Sequence, residues 1–148
     1  MVDMYPEQRA AAEYLNEEPD EIDEQPYNNY GLRVFSSGSM EVAVGDDDDA
    51  YDAASKSIKE SLWTFKADFI GNHTRIKLKL NAVNALEKVL GVLCESTNDL
   101  VENLIDNFDD FVEDAISADG RGHFLSTWDG EENEVEIDGE LYFVYRIN

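Results

Sequence analysis

The chain has 148 residues, enough for a domain with a real hydrophobic core, and its 34 Asp and Glu against 11 Lys and Arg give a formal net charge of −23. So acidic a chain disfavours direct binding to nucleic acid or to an anionic membrane, because both need a basic surface. Hydrophobic residues make up 43% of the chain, which excludes a wholly disordered acidic tail. The single cysteine, Cys94, excludes an internal disulfide and a cysteine-based zinc site.

The chain contains no signal for export or for a membrane. No apolar run approaches the ~20 residues of a membrane span, and no basic start leads into an apolar stretch. We therefore expect a cytoplasmic protein, and we assign it no cofactor and no metal site.

The charge is unevenly distributed along the chain. Residues 1–30 carry nine acids and one base, residues 61–95 carry three acids and five bases, and residues 96–119 carry eight acids and no base. Adaptation of the whole surface to high salt would spread the acids over every segment. The uneven pattern therefore disfavours a halophilic explanation and directs attention to residues 96–119.

The first 30 residues predict an acidic segment that is set apart from the rest. A Pro at the first turn and an Ala-rich body predict a short helix over Pro6–Asn16. The stretch Glu17–Gln25 has almost nothing to bury and is predicted to be a mobile acidic linker. We therefore predict an N-terminal segment over residues 1–30 and a single α+β domain over residues 31–148.

That domain is predicted to pack about three main helices on a small antiparallel sheet. Apolar alternation on either side of a Ser-Ser-Gly-Ser turn predicts a hairpin, and helical periodicity predicts the helices, the second ending at a buried Cys94. The turn signals Asp129-Gly130 and Asp138-Gly139 separate the last strands. In chain order the predicted elements are a hairpin over Leu32–Val44, helices over Ala50–Ile70, Asn81–Cys94 and Asp99–Ala118, and strands over residues 123–128, 133–137 and 140–148, with a short strand over Ile76–Leu80 left open.

The predicted helix Asp99–Ala118 separates its charged residues from its apolar residues. At about 100° per residue, the two kinds fall in different arcs, with no Lys or Arg between the acids. The carboxylates are Asp99, Glu102, Asp106, Asp109, Asp110, Glu113 and Asp114. Carboxylates three or four residues apart stand about 5–6 Å apart, a density comparable with the one charge per about 1.7 Å of duplex DNA. The row is predicted to imitate phosphates, and a merely solvated face that keeps the protein soluble is the alternative.

Three other motifs carry weaker signals. Glu132, Glu134 and Glu136 alternate along a predicted strand and would extend the acidic surface. The run Asp46–Asp49 fails as a calcium loop, because Tyr51 and Ala53 fall where an EF-hand needs acids. It is therefore interpreted as a helix cap. In Asp119–His123, an anion site or a general base at His123 is one interpretation, and a helix C-cap followed by entry into a strand is the favoured one.

The strings SLWTF at residues 61–65, DGRGHFLSTWDGEE at residues 119–132 and YRIN at residues 145–148 resemble a group of small, uncharacterised acidic proteins encoded by phages. In charge and size the chain is also similar to the phage DNA-mimic inhibitors of restriction and CRISPR nucleases. That similarity implies an anti-defence protein without enzymatic activity, which occupies the nucleic-acid-binding cleft of a basic host nuclease or defence complex.

A second class of function stays open beside this one. An acidic adaptor or antitoxin-like module would bind a protein surface through exposed aromatic residues such as Tyr27, Tyr30, Trp63 and Trp128. An enzyme is the third and least favoured hypothesis. Self-association into a homodimer is also left open.

Overall fold

The computed structural model describes residues 4–148 and has an α+β fold, as predicted. In this part of the chain, helices accompany a five-stranded antiparallel sheet. The strands are β1 Asp23–Gln25, β2 Arg33–Ser37, β3 Met40–Gly45, β4 Asn133–Ile137 and β5 Glu140–Arg146. The α-helices are α1 Pro6–Leu15, α2 Asp47–Glu60, α3 Ala67–Gly71, α4 Leu80–Leu93, α5 Asn98–Leu104, α6 Phe108–Asp119 and α7 Arg121–Leu125, and 3₁₀ turns occupy Pro19–Glu21, Leu62–Thr64 and Cys94–Thr97.

The sheet has the strand order β1-β2-β3-β5-β4, with every neighbouring pair antiparallel. The predicted hairpin is confirmed as β2 and β3, and the predicted Asp138-Gly139 turn joins β4 to β5. Both residues of that turn have positive φ, 52° and 85°, as a tight hairpin turn between twisted strands requires. The predicted strand over residues 123–128 is wrong, because Arg121–Leu125 form α7 and the Ser126 N–H donates to the Gly122 carbonyl at 2.8 Å.

The acidic N-terminal region is folded, so the predicted mobile linker over Glu17–Gln25 is wrong. Ile22 is buried and anchors this region, and β1 pairs with β2 immediately after it. The predicted helix is confirmed as α1, whose residues 10–12 are three buried alanines in the same core cluster as Ile22. Small side chains let this helix lie close to the sheet, which holds the acidic segment in place. Residues 1–3 lie outside the described part of the chain.

The chain divides into two compact units. The sheet unit ends at Ala54 and resumes at Asp119, and the helical unit is Ser55–Ala118. The helical unit buries Ile58, Leu62, Ile70 and Phe111. Aromatic rings pack beside this core, with the centroids of Phe65 and Phe69 each 5.0 Å from that of Phe111.

There are more helices than the three predicted, because two of the predicted long helices are interrupted. The first breaks after Glu60, where the Ser61 hydroxyl donates to the Ser57 carbonyl at 2.8 Å instead of facing solvent. Asn98 then satisfies the backbone groups exposed by the break. Its amide donates to the Glu60 carbonyl at 2.7 Å, and its side-chain oxygen accepts from the Trp63 N–H at 3.0 Å.

Two local interpretations around α4 differ from the structure. The short strand that was left open over Ile76–Leu80 does not form, since Ile76 lies outside regular structure with 80% of its surface exposed and Leu80 begins α4. Cys94, expected to be buried, is exposed and has a φ of 50°, a left-handed value that ends α4.

Candidate functional site

The predicted acidic helix Asp99–Ala118 is two helices, so the continuous row of carboxylates does not exist. Ile105 has an extended backbone (φ −72°, ψ 129°) and forms a β-bridge with Thr74, while the Asp106 N–H donates to the His73 carbonyl at 2.8 Å. Helix α6 begins directly after Asn107, whose side-chain oxygen caps it by accepting from the Asp110 N–H at 3.1 Å. The break therefore resets the helical phase between Glu102 and the later acids.

The second of the two helices keeps the separation of charge that the sequence predicts. Its exposed face carries Asp109, Asp110, Glu113 and Asp114, here called the α6 acidic face, and its opposite side buries Phe111, Val112 and Ala115. These four carboxylates span five residue steps, about 7.5 Å of helix axis, or one charge per about 2 Å. That density is close to the one charge per about 1.7 Å of duplex DNA, but over a much shorter length than predicted.

Three of the seven predicted carboxylates have a basic partner from another part of the chain. Glu102 lies 3.0 Å from the Lys59 amine, and Asp106 lies 3.8 Å from the Arg75 guanidinium. These pairs are at least 41% exposed on both sides, so each contributes only about 0–1 kcal/mol and can be opened by a competing partner. Asp114 lies 3.0 Å from His73 Nε2, a pair that is ionic only when the imidazole is protonated.

The remaining predicted acids of this segment are Asp99, Asp109, Asp110 and Glu113. Within residues 4–148, none of their carboxylates has a Lys, Arg or His nitrogen within 4.0 Å. Asp109 and Asp110 lie in the first turn of α6, where the helix dipole favours negative charge, and Asp99 lies in the first turn of α5. Glu113 has no such local role, although it repels acids three and four residues before it. It is the carboxylate of this face whose position the fold does not explain.

The second predicted row contains one residue with a structural role and two that form no ion pair within residues 4–148. The Glu132 carboxylate accepts from Arg121 Nε at 2.7 Å and from the Tyr145 hydroxyl, so it holds the chain before β4 in place. Glu134 and Glu136 are exposed on β4, where they alternate with buried Val135 and Ile137 as predicted. This row belongs to the sheet unit, whereas the α6 acidic face belongs to the helical unit.

The Asp119–His123 segment is structural, but only half of the favoured interpretation is right. Gly120 follows the end of α6 with a φ of 82°, as a glycine at a helix C-terminus does, whereas the predicted entry into a strand is wrong because Arg121–Leu125 form α7. Arg121 also binds Asp47, with its Nη1 2.8 Å from the carboxylate oxygen, and its guanidinium lies 4.4 Å from the Phe143 ring centre. His123 is exposed and its ring packs edge-on against Phe124.

The run Asp46–Asp49 caps α2, as its interpretation as a helix cap predicted. The Asp46 side chain accepts from the Asp49 N–H at 2.8 Å.

The aromatic residues proposed for the alternative function differ in exposure. Trp128 is 57% exposed with the Arg146 guanidinium 4.0 Å from its ring centre, and Tyr27 is 54% exposed beside Arg33. Tyr30 and Trp63 are half-buried. Trp128 is therefore the most accessible aromatic contact of the four.

The described residues offer neither a metal site nor a membrane-spanning helix. In residues 4–148 no group of three His, Cys, Asp or Glu side chains is arranged to hold a metal ion. No helix of this part of the chain is long and apolar enough to cross a membrane. Comparisons with protein-family models, with curated proteins and with solved structures find no significant match.

Proposed function

We propose that the protein is a phage anti-defence protein, an acidic DNA mimic that occupies the nucleic-acid-binding cleft of a host restriction or CRISPR nuclease complex without catalysing a reaction. The observation that supports this most is the α6 acidic face, which carries DNA-like charge density on one exposed surface. A basic cleft that has evolved to bind phosphates would attract such a surface over a Debye length and release counterions on contact.

The exposed carboxylates divide by their freedom to bind a partner. Among the residues that the structure describes, Asp109, Asp110 and Glu113 have no cationic partner, and we assign them as the principal phosphate surrogates. In the same part of the chain Asp99 also lacks such a partner and contributes from α5. Glu102, Asp106 and Asp114 contribute after their contacts with basic side chains open. Glu134 and Glu136 offer a second, smaller contact, whereas Glu132 is committed to Arg121 and Tyr145.

The test is a triple variant, Asp109→Asn/Asp110→Asn/Glu113→Gln, compared with a control that removes the same amount of charge elsewhere. Glu18→Gln/Asp20→Asn/Glu21→Gln suits this purpose, because all three control residues are exposed and lie in the sheet unit. Each protein is added to purified restriction and CRISPR nucleases, and DNA binding and cleavage are measured at low and moderate salt.

We expect the natural protein and the control to block DNA binding by at least one nuclease, the α6 variant to lose most of that inhibition, and added salt to weaken it steeply. Equal inhibition by the two variants, insensitivity to salt, or no inhibition across the panel would each contradict the proposal.

The adaptor function is the second candidate, and the exposed Trp128 favours it. An aromatic hot spot buried at an interface contributes about 2 kcal/mol or more and depends little on salt. Loss of partner binding on Trp128→Ala, together with full binding by the α6 triple variant, would replace the DNA-mimic proposal with this one.

A further inference from the structure

Helix α4 leaves an apolar side uncovered. It buries Leu86 and Leu90 on one side, whereas Val92 and Leu93 near its C-terminus are 79% and 54% exposed. On the uncovered side of α4, small apolar residues recur at intervals of three, four and three. They are Ala82, Ala85, Val89 and Val92, here called the α4 seam.

The α4 seam has the geometry of a helix-packing surface. Its spacing is that of the a and d positions of a heptad, which brings the four side chains into one stripe. Ala82, Ala85 and Val92 are exposed, Val92 at 79%, and Val89 is half-buried. The two alanines would let a second helix approach to about 8 Å between axes. On a helical wheel no charged side chain falls within the arc of this stripe.

The charges at the two ends of α4 are opposite to those that stabilise an isolated helix. Lys77 and Lys79 precede its N-terminus, which has no side-chain cap, and Glu95 and Asp99 follow its C-terminus. The helix dipole favours the reverse arrangement. An antiparallel copy of the same helix would correct both ends, because its acidic C-terminal end would lie beside the lysines and its lysines beside the acids.

We propose that two copies of the chain associate through the α4 seam, packed antiparallel across a two-fold axis. Ala82 then lies opposite the partner's Val92, and Ala85 lies opposite the partner's Val89. This self-complementary pairing is the contact that a two-fold dimer requires. A second copy is the occupant that the charges favour, since residues 61–95 have a net charge of +2 in a chain of −23 and form its least repulsive surface.

The expected dimer is weak. Helix α4 has 14 residues and is therefore about 21 Å long, so a contact confined to it falls at the small end of specific interfaces, below about 1,200 Å² in total. Dissociation in the micromolar range or above follows. Added salt should strengthen the dimer, because it screens the long-range repulsion between two strongly negative chains more than the short contacts between lysines and carboxylates at the helix ends. This is the opposite of the salt effect on the proposed nuclease complex, so failure of one proposal is distinguishable from failure of the other.

Sedimentation equilibrium from micromolar to submillimolar concentration tests the proposal on the full chain. Val92→Glu places a charge in the seam and should raise the dissociation constant about tenfold or more. Asn84→Glu is the matched control, because it adds the same charge at an exposed position of α4 outside the seam and should dimerise like the natural protein. Circular dichroism establishes that both variants are folded.

A nitroxide label on Cys94 reports the orientation of the two helices. Cys94 lies seven residues from the centre of the seam, so the two labels of an antiparallel pair are separated by about 21 Å along the axis, whereas a parallel pair brings them within about 10 Å. A monomer at every concentration, equal dimerisation by Val92→Glu and Asn84→Glu, or the short label distance would overturn the proposal.

Discussion

Replacing Gly122 by Ala tests whether close packing against the chain before β4 requires a glycine at this position of α7. A Cβ atom at Gly122 would lie 2.4 Å from the Gly130 carbonyl oxygen and 2.7 Å from the Glu132 nitrogen, where ordinary contacts begin at 3.4 Å. Both neighbours are backbone atoms, so no change of rotamer relieves the overlap. The chain at residues 130–132 must therefore retreat by about 1 Å.

The loss in the free energy of unfolding has two sources, the overlap itself and the contacts that the displaced residues make. Overpacking alone costs about 1–3 kcal/mol. The shift also loosens the Glu132 carboxylate from Arg121 and Tyr145, and a hydrogen bond to a charged group is worth about 1.5–3 kcal/mol. We expect Gly122→Ala to lower the free energy of unfolding by about 3–5 kcal/mol.

Urea unfolding followed by far-UV circular dichroism measures the loss, since urea, unlike guanidinium, does not screen the charge. A Trp63→Phe background leaves Trp128 as a fluorescent reporter of the sheet unit, which contains Gly122. Gly91 is exposed on α4, and a Cβ atom added there would have no neighbour within 4 Å, so the same substitution at Gly91 should instead raise stability by about 0.5–1 kcal/mol. A Gly122→Ala protein as stable as the natural one would refute the packing argument.

Three other predictions concern charge. Glu113→Gln removes two repulsions without removing a helix-end contact, so the free energy of unfolding should rise by about 0.4–1 kcal/mol at low salt. A hydrogen bond from Arg9 lowers the pKa of Asp138. The stability that this pair adds is therefore present above the unfolded value of 3.8 and is lost as pH falls through the lower folded value. Asp138→Asn retains the turn, and its free energy of unfolding should fall less steeply in acid than that of the natural protein. Burial raises the pKa of Tyr142 to about 12 and also raises that of Tyr145, so stability should fall as pH rises above the unfolded value of 10.0, and tyrosinate absorbance should show both ionising last.

Each of these has a clear contrary result. A destabilised Glu113→Gln protein would mean that this carboxylate has a structural partner. If the free energy of unfolding of Asp138→Asn fell in acid as steeply as that of the natural protein, the Arg9 pair would not contribute to the pH dependence of folding. Ionisation of all seven tyrosines in one step would show that the two strand tyrosines are not held protonated.

The sequence by itself determined the features that depend on near neighbours. The β2–β3 hairpin and the Asp138-Gly139 turn follow from alternation and from residues that tolerate positive φ. The opposed apolar and acidic faces of α6 follow from periodicity, because a side chain's direction on a helix depends only on its place in the turn. The same local signal fails at Ile105, where periodicity continues in the sequence but not in the backbone.

Only the tertiary structure decided which acids are free. Glu102 is paired with Lys59, Asp114 with His73 and Glu132 with Arg121, and each basic side chain lies outside the helix or strand predicted to carry the acid. A bridge to Thr74 likewise breaks the predicted acidic helix. These partners meet through packing between residues distant in the chain, which no helical wheel contains. Net charge and local pattern therefore predicted an acidic surface, whereas long-range contacts decided which carboxylates of the predicted rows have a basic partner.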